Sequence, residues 1–294
     1  MKFLENINYT NIDIGIEYLK NHSFNYNLPN NEHTIYHVYW YGKINRQQLC
    51  CMYSYLYSQD LSSTELWVWL DINTYQLSKS SIPKHRNIKI KIYNPYEEVK
   101  NTPFEGYKYL DQTKSLKFRS DIARILVLYN YGGLYFDLDM LLLKDLKPLL
   151  DLEFCYSWSD LKKGNNGILR LKKRSKLCCQ IIEKYKNCIS PFNLHNQTFF
   201  LGYNHKYIFT DDLDLTCLPC VLFDPVWVLE HRKQISKYSK LHTFDDFFKN
   251  TDENIDGFFA NEIFAYHWHS RNNVNIEHNS YYERFENKFK NKIK

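Results

Sequence analysis

One segment near the middle of the chain constrains the fold most: a helical pattern that ends in two glycines and leads straight into an apolar strand. Apolar residues recur with helical spacing from Thr113 to Tyr129. Gly132-Gly133 ends this pattern, because glycine readily takes the left-handed conformation needed at a helix C-terminus. Leu134–Phe136 then leads to Asp137-Leu138-Asp139. The segment predicts a helix folded back against a strand that ends in two carboxylates.

Three further stretches have the composition of buried strands: Ile35–Trp40, Glu65–Leu70 and Asn87–Ile92. Arg46–Ser58, between the first two, is patterned as a helix. This alternation predicts parallel βαβ units, whose ligands bind beyond the carboxyl ends of the strands. With 294 residues, of which 44% are hydrophobic, the chain is long enough for one folded α/β domain.

Composition also limits the partners that we expect. The 38 basic residues are nearly offset by 33 acidic ones, which leaves a formal net charge of +5. Nucleic-acid-binding domains usually concentrate more positive charge, so we expect no nucleic-acid partner. The sequence shows no signal peptide and no apolar run of transmembrane length. Its eight cysteines include vicinal pairs and indicate reduced thiols. We therefore expect a cytoplasmic protein without a transmembrane anchor.

Four charged residues of the central segment are candidates for metal or substrate binding. Asp137 and Asp139 lie two positions apart, so their side chains point the same way and can reach one divalent cation. Carboxylate oxygens suit Mg²⁺ or Mn²⁺ better than Zn²⁺. Asp121 and Arg124 share one face of the preceding helix. The residues alone leave two alternatives open, namely a half-exposed strand end without a ligand and a surface Asp121–Arg124 ion pair.

A family resemblance lies in residues 118–139, whose sequence is FRSDIARILVLYNYGGLYFDLD. This run closely resembles the DxD-containing sugar-binding region shared by several retaining glycosyltransferases. These include initiating α-1,6-mannosyltransferases, α-1,4-galactosyltransferases, capsular polysaccharide transferases and the clostridial glucosylating toxins. The resemblance covers roughly residues 35–269 and is strong for residues 115–149.

The resemblance implies a GT-A fold, which is a Rossmann-like nucleotide-sugar-binding sheet with helices on both faces and helical elements on the acceptor side. We expect a single domain over residues 1–294. Within it, residues 35–150 would bind the nucleotide sugar, and residues 151–294 would bind the acceptor and close the site.

The resemblance also implies a metal site with Mn²⁺ (or Mg²⁺) as cofactor. Asp139 would bind the metal directly, and Asp137 would bind the metal, the ribose or both. A third ligand is expected near the C-terminus, where Ala265–His269 resembles a His-x-Trp ending found in galactosyltransferases. Here Trp268 follows His267 directly and His269 takes the tryptophan position. His267 is our candidate and His269 the alternative, with a core histidine as the competing interpretation for each.

The remaining expected roles concern substrate binding. By the resemblance, Asp121 would accept hydrogen bonds from sugar hydroxyls, and Arg124 would contact the sugar or a phosphate. Trp40 would stack on the base, although a buried strand tryptophan is the alternative. The other candidates for substrate binding are Asn166, which follows the metal motif, Gln197, expected beneath the anomeric carbon, and Trp268, expected to close the site.

The expected reaction is retaining transfer of a hexose or N-acetylhexosamine to a glycan or protein acceptor. The galactosyltransferase-like ending favours UDP-glucose, UDP-galactose or UDP-N-acetylglucosamine as donor, with GDP-mannose possible. Two alternatives stay open at this point: a catalytically silent nucleotide-sugar-binding module and a DxD phosphatase. The phosphatase fits less well, because Asp139 is followed by Met140 rather than by Thr or Val.

Overall fold

A seven-stranded sheet with helices on both faces organises the chain. The computed structural model describes residues 11–21, 24–27, 33–107, 110, 116–157, 164–188, 215–254, 263–269 and 274–293. The strands are β1 (Thr34–Trp40), β2 (Thr64–Asp71), β3 (Ile88–Tyr93), β4 (Gly133–Phe136), β5 (Met140–Leu142), β6 (Phe154–Ser157), β7 (Gly164–Leu171), β8 (Thr216–Leu218) and β9 (Ala265–His267). The helices are α1 (Ile12–Lys20), α2 (Arg46–Ser58), α3 (Tyr75–Ser78), α4 (Pro95–Glu98), α5 (Leu116–Tyr131), α6 (Lys176–Cys188), α7 (Pro225–Arg232) and α8 (Tyr281–Ile293).

The order and directions of the strands confirm the predicted Rossmann-like, GT-A-type α/β fold. The sheet order is β3-β2-β1-β4-β7-β6-β8. The first four strands of this order are parallel, whereas β7 runs antiparallel to both β4 and β6. The sheet therefore joins strands from both halves of the chain. The carboxyl ends of β1, β2, β3 and β4 meet at one edge, where ligands of parallel sheets bind.

The two faces of the sheet bury separate cores. Alternate residues of β1 point to opposite faces: Tyr36 and Val38 pack with helix α2, whereas Tyr39 packs on the side of helix α5. Helix α2 begins at a capping box in which Asn45 and Gln48 satisfy each other's backbone N–H groups. No helix among the residues described above is long and apolar enough to cross a membrane.

The turn between α5 and β4 requires glycine at both positions. Gly132 and Gly133 have φ angles of +68° and +103°. A Cβ atom on Gly133 would lie 2.1 Å from the carbonyl oxygen of Ile35 on the neighbouring strand β1. The helix packs against β1 and β4, so the predicted fold-back of helix onto strand is confirmed.

A second, two-stranded sheet brings the C-terminal part of the chain to the DxD motif. Strand β5 follows Asp139 and pairs antiparallel with β9, with Met140 opposite His267. The backbone N–H of Trp268 also donates to the carbonyl oxygen of Asp139, at 3.1 Å. Helix α2 supports β5 from behind, since Ser54 Oγ accepts from the N–H of Leu142 at 2.9 Å.

Candidate active site

Asp137 is held in one orientation at the end of β4. Its backbone N–H donates to the carbonyl oxygen of Gly167 at 2.8 Å. Its Oδ1 accepts from Arg124 Nη2 at 3.0 Å and from the Tyr135 hydroxyl at 3.2 Å. Burial raises the pKa of this carboxyl, and the nearby Arg124 guanidinium opposes the rise. The 24% of its side chain that stays exposed leaves the carboxylate accessible from solvent.

Arg124, Asp121 and Asn166 form a polar network below the motif. Arg124 Nη1 donates to Asn166 Oδ1 at 2.8 Å, and its Nη2 lies 3.4 Å from Asp121 Oδ1. Asn166 Nδ2 in turn donates to Asp121 Oδ1 at 3.0 Å. All three side chains are buried. The Asp121–Arg124 pair is therefore part of an internal network that leads to Asp137, and it is not an exposed surface pair.

His267 lies directly beside Asp139. Its Nε2 is 3.0 Å from Asp139 Oδ1, and its Nδ1 is 2.9 Å from the hydroxyl of Tyr156. Burial lowers the pKa of this ring, but the carboxylates of Asp139, Asp224 and Asp137 together outweigh burial and raise the pKa to about 9. The ring is thus drawn to the DxD motif by charge as well as by the β5–β9 pairing.

His269 has a different partner. Its Nε2 lies 2.5 Å from Asp224 Oδ2, and its ring stacks on that of His267 with centroids 3.8 Å apart. Burial lowers the pKa of His269, and the neighbouring ring of His267 lowers it further. Asp224 is fully buried at the start of α7. Asp224 therefore lies next to both histidines, since its Oδ2 is also 3.7 Å from His267 Nδ1.

The donor set at the motif has the chemistry of a divalent-cation site. Asp137, Asp139 and His267 offer ligand atoms that all lie within 4.8 Å of one another. Two carboxylates and one imidazole suit Mn²⁺, and the carboxylates also suit Mg²⁺. A second group with such spacing consists of Asp224, His267 and His269. His267 belongs to both groups, and its Nε2 faces Asp139.

A cavity of about 140 Å³ opens at the carboxyl ends of β1, β2 and β3. Asp71, at the end of β2, lies at its wall, where its Oδ2 accepts from the Tyr39 hydroxyl at 2.8 Å. The backbone N–H of Asn73 donates to Asp71 Oδ1 at 2.9 Å. Arg119 Nη1 lies 3.9 Å from Asp71 Oδ2. The cavity thus combines a fixed carboxylate, a guanidinium and the ring of Tyr39.

Comparison with known families identifies the region around this site. Residues 70–155 match the family model described as a glycosyltransferase sugar-binding region containing the DXD motif. The chain carries a glycosyltransferase sugar-binding region. The match confirms the resemblance predicted from residues 118–139. The chain is a transferase enzyme. The matched residues include both aspartates of the motif and the Asp121–Arg124 pair, whereas His267 lies outside them.

Several solved glycosyltransferase structures are similar to this chain. The PaToxG glycosyltransferase is 17% identical, with 65% of this chain and 70% of that chain covered and a TM-score of 0.38. GlyE from Streptococcus pneumoniae TIGR4 is 12% identical, with 90% and 64% covered and a TM-score of 0.45. An active-site mutant of LgtC is 15% identical, with 88% and 95% covered and a TM-score of 0.40. Comparison with curated proteins gave no match.

Two predicted substrate-binding residues, Trp40 and Trp268, have other side-chain partners. Trp40 is half-buried at the end of β1, packs towards the α2 side, and donates from its indole N–H to the Lys43 carbonyl at 3.2 Å. Trp268 is fully buried among Phe247, Phe248 and Tyr282, so it does not reach the surface that a sugar could contact. Gln197 lies outside the described residues.

Several residues beside the motif or the cavity were not predicted from the sequence. Tyr156 contacts His267, and no pattern in the sequence indicates this. Asp224 precedes Pro225 at the start of α7, and no pattern in the sequence pairs it with a histidine. Asp71 directly follows a predicted strand, so the rule that ligands bind at the carboxyl ends of parallel strands could have identified it.

Proposed function

We propose that the chain is a metal-dependent, retaining glycosyltransferase that moves a hexose or N-acetylhexosamine from a nucleotide sugar to a glycan or protein acceptor. UDP-glucose, UDP-galactose and UDP-N-acetylglucosamine are the favoured donors, and GDP-mannose is possible. One observation carries the proposal: Asp137 and Asp139, inside the matched sugar-binding region, meet His267 from the other end of the chain.

In this proposal Asp137, Asp139 and His267 hold Mn²⁺ or Mg²⁺. A bound divalent cation neutralises the diphosphate and stabilises it as the leaving group. Tyr156 orients the imidazole of His267 through its Nδ1, which leaves Nε2 directed at Asp139. His269 is the alternative ligand, but it would first have to leave Asp224. The 3.0 Å approach of His267 to Asp139 supports His267 as the third ligand.

The polar network below the motif would position the donor sugar. Asp121 and Arg124 each keep only 5% of their side-chain surface exposed. We propose that Arg124 chiefly fixes the carboxylates of Asp121 and Asp137. Sugar hydroxyls, or a phosphate oxygen, would then bind at the edges that stay open, with Asn166 as a further donor and acceptor. Donors held in this way cost no reorganisation when charge develops on the departing phosphate.

The nucleoside would bind at the carboxyl ends of β1, β2 and β3. Trp40 is half-exposed at this edge and remains our candidate for stacking on the base. The cavity at the carboxyl ends of these strands adds Asp71, Asn73 and Arg119 as hydrogen-bonding groups for the base or ribose. Residues 35–150 would accordingly bind the donor, and residues 151–294 would bind the acceptor and supply His267.

Retention of configuration would follow from attack on the same face as the leaving group. The resemblance supports retention, and no residue at the described site is placed as an evident covalent nucleophile. Gln197 and Trp268 remain predictions as substrate-binding residues. For Trp268, binding would require a rearrangement, since its indole is enclosed. The seven described cysteines are free thiols, which supports a reducing, cytoplasmic setting.

The test is release of free nucleotide from a panel of UDP- and GDP-sugars in the presence of Mn²⁺. The screen needs no acceptor, because transfer to water reports donor activation. We expect release from one donor, and we expect EDTA and the Asp139→Asn substitution each to abolish it. If no donor is hydrolysed but a UDP-sugar with Mn²⁺ raises the melting temperature, the chain binds the donor without hydrolysing it, and this result favours the binding-module alternative. If neither occurs, the donor site is assigned wrongly.

A further inference from the structure

The edge of the large sheet at β3 carries one of the runs of positive charge in this chain that contain no acidic residue, as residues 161–176 also do. We call residues 72–96 the β3 edge. They contain no Asp or Glu. They contain five cations, which are Lys79, Lys84, Arg86, Lys89 and Lys91. Since the whole chain has a formal net charge of +5, the remainder is neutral overall. Four of these side chains are exposed and Lys91 is partly exposed. Throughout the described part of the chain, no carboxylate forms an ion pair with any of them.

The same short segment also exposes large apolar side chains. Eight large hydrophobic residues are exposed among those described, and five of them lie in the β3 edge. They are Ile72, Leu77, Ile90, Ile92 and Tyr96, with between 39% and 57% of their surface exposed. A single exposed apolar side chain needs no explanation, but a group of them beside cations that have no carboxylate partner among the described residues is typical of an interaction surface.

Cationic and apolar side chains alternate along the β3 edge. Strand β3 is the last strand of the sheet and, among the described strands, pairs only with β2. Because side chains alternate along a strand, Lys89 and Lys91 lie on one face and Ile90 and Ile92 on the other. The loop over residues 79–86 and β3 line an open groove of about 680 Å³. Cations and isoleucines therefore reach solvent along the same edge.

We propose that the β3 edge docks on an anionic lipid surface. Each cation held near an anionic leaflet favours binding by about fivefold, and the attraction ends within a Debye length. Apolar side chains beside these cations can enter the boundary between headgroups and acyl chains, which stabilises them further. A polyanionic glycan would pair with the cations but would leave Ile90, Ile92 and Leu77 in water, so the lipid surface explains more of what is exposed.

Edge protection is the simpler alternative, since lysines on an edge strand prevent association between sheets. That role accounts for Lys89 and Lys91. It does not account for Lys79, Lys84 and Arg86, which lie before the strand, or for the exposed isoleucines. The cations of the β3 edge lie away from the DxD motif, because β2 and β1 lie between β3 and β4 in the sheet. Ile72 and Tyr96, at the two ends of the β3 edge, also line the cavity proposed for the nucleoside, so the charge reversals are made at other residues. The proposal therefore does not depend on sugar transfer.

The test is co-sedimentation of the full chain with vesicles, without donor or metal. Vesicles of phosphatidylserine and phosphatidylcholine in equal parts are compared with vesicles of phosphatidylcholine alone. The variant Lys89→Glu/Lys91→Glu reverses two charges on β3, and Lys84→Glu/Arg86→Glu reverses two in the preceding loop. The matched control is Lys173→Glu/Lys176→Glu, which makes the same charge change at exposed lysines after β7. A third variant, Ile90→Ser/Ile92→Ser, keeps every charge.

We expect binding to the phosphatidylserine vesicles only, with loss at about 1 M salt, where the Debye length falls to about 3 Å. Each reversal at the β3 edge should weaken partitioning by more than about twentyfold. The serine variant should weaken it severalfold, and the control should stay within about threefold of wild type. The proposal is overturned if wild type does not sediment with the anionic vesicles, or if the control variant loses as much binding as the reversals. Binding to heparin without vesicle binding would also overturn it and would identify a polyanionic partner. Far-UV circular dichroism verifies that each variant is folded.

Discussion

At the scale of single residues, Arg124 determines the arrangement of the sugar-binding region. Its guanidinium is the cation that faces both buried Asp121 and the carboxylate of Asp137. It also stacks over the Tyr135 ring, with its Cζ atom 4.6 Å from the ring centroid. Removing this charge would leave two carboxylates uncompensated next to each other. Such changes cost far more than the loss of an exposed ion pair.

We therefore expect Arg124→Ala to lower the free energy of unfolding by about 3 kcal/mol or more. Arg124→Lys keeps the charge but loses the forked geometry, so it should cost less. The control is Lys117→Ala, on the exposed part of the same helix, which should change stability by no more than about 0.5 kcal/mol. Urea denaturation measures all three. A cost for Arg124→Ala as small as that of the control would contradict the network.

The sequence identified four of the charged residues at the site, because Asp121, Arg124, Asp137 and Asp139 lie in one local segment with clear periodicity. It did not decide between a surface pair and a buried network, since Asn166 enters from a strand that is distant in sequence. Trp268 was expected to close the site, yet three aromatic side chains from non-local elements enclose it. Local pattern carries no information on such contacts.

At the scale of elements, the two glycines between α5 and β4 allow the helix to pack against its own strand. The sequence predicted this turn because glycine and helix periodicity are local signals. It could not predict the β5–β9 ribbon. That pairing joins the DxD motif to a three-residue strand near the C-terminus, and a strand so short has no detectable period. The third candidate metal ligand therefore stayed undecided between His267 and His269.

Gly133 and Gly42 offer a matched comparison for the α5–β4 turn. Both have strongly positive φ angles, +103° and +107°, but a Cβ on Gly42 would contact nothing within 4 Å. Gly42→Ala should therefore cost only the backbone penalty, about 1–3 kcal/mol. Gly133→Ala should cost at least about 2 kcal/mol more, because its Cβ would displace the backbone of β1. Thermal or urea unfolding measures both, and equal costs would show that the close approach to β1 is not maintained.

At the scale of the whole molecule, the pH dependence of stability should reveal one buried histidine. His37 is fully buried on β1, where its Nε2 lies 2.8 Å from the carbonyl oxygen of Gly132. Trp69 Nε1–H donates to its Nδ1 at 3.0 Å. Burial lowers the pKa of this ring to about 4, against 6.5 for an ordinary histidine. The ring thus stays neutral in the folded protein at pH values where the unfolded chain is protonated.

The direction of this pH dependence follows from the difference in proton binding between the folded and unfolded states. Above pH 6.5 neither state is protonated at this ring, so His37 adds no pH dependence there. As the pH falls from 6.5 to about 4, the unfolded state binds the proton first, and folding should lose up to about 3 kcal/mol. His37→Gln removes the titrating group, so its urea-unfolding free energy should fall less steeply over this range. Parallel curves for wild type and variant would contradict the burial of a neutral imidazole.

The central claim is that Asp137, Asp139 and His267 bind the divalent cation that activates a nucleotide sugar. The most direct test is titration of Mn²⁺ into the protein with saturating UDP. The electron paramagnetic resonance signal measures the concentration of free Mn²⁺ at each step, and hence the affinity. Wild type and His269→Asn, a change that suits the left-handed backbone at this position (φ +49°), should each bind one Mn²⁺ with similar affinity. Asp139→Asn and His267→Asn should weaken binding at least tenfold. Retained binding in Asp139→Asn, or loss in His269→Asn together with full binding in His267→Asn, would contradict this metal site.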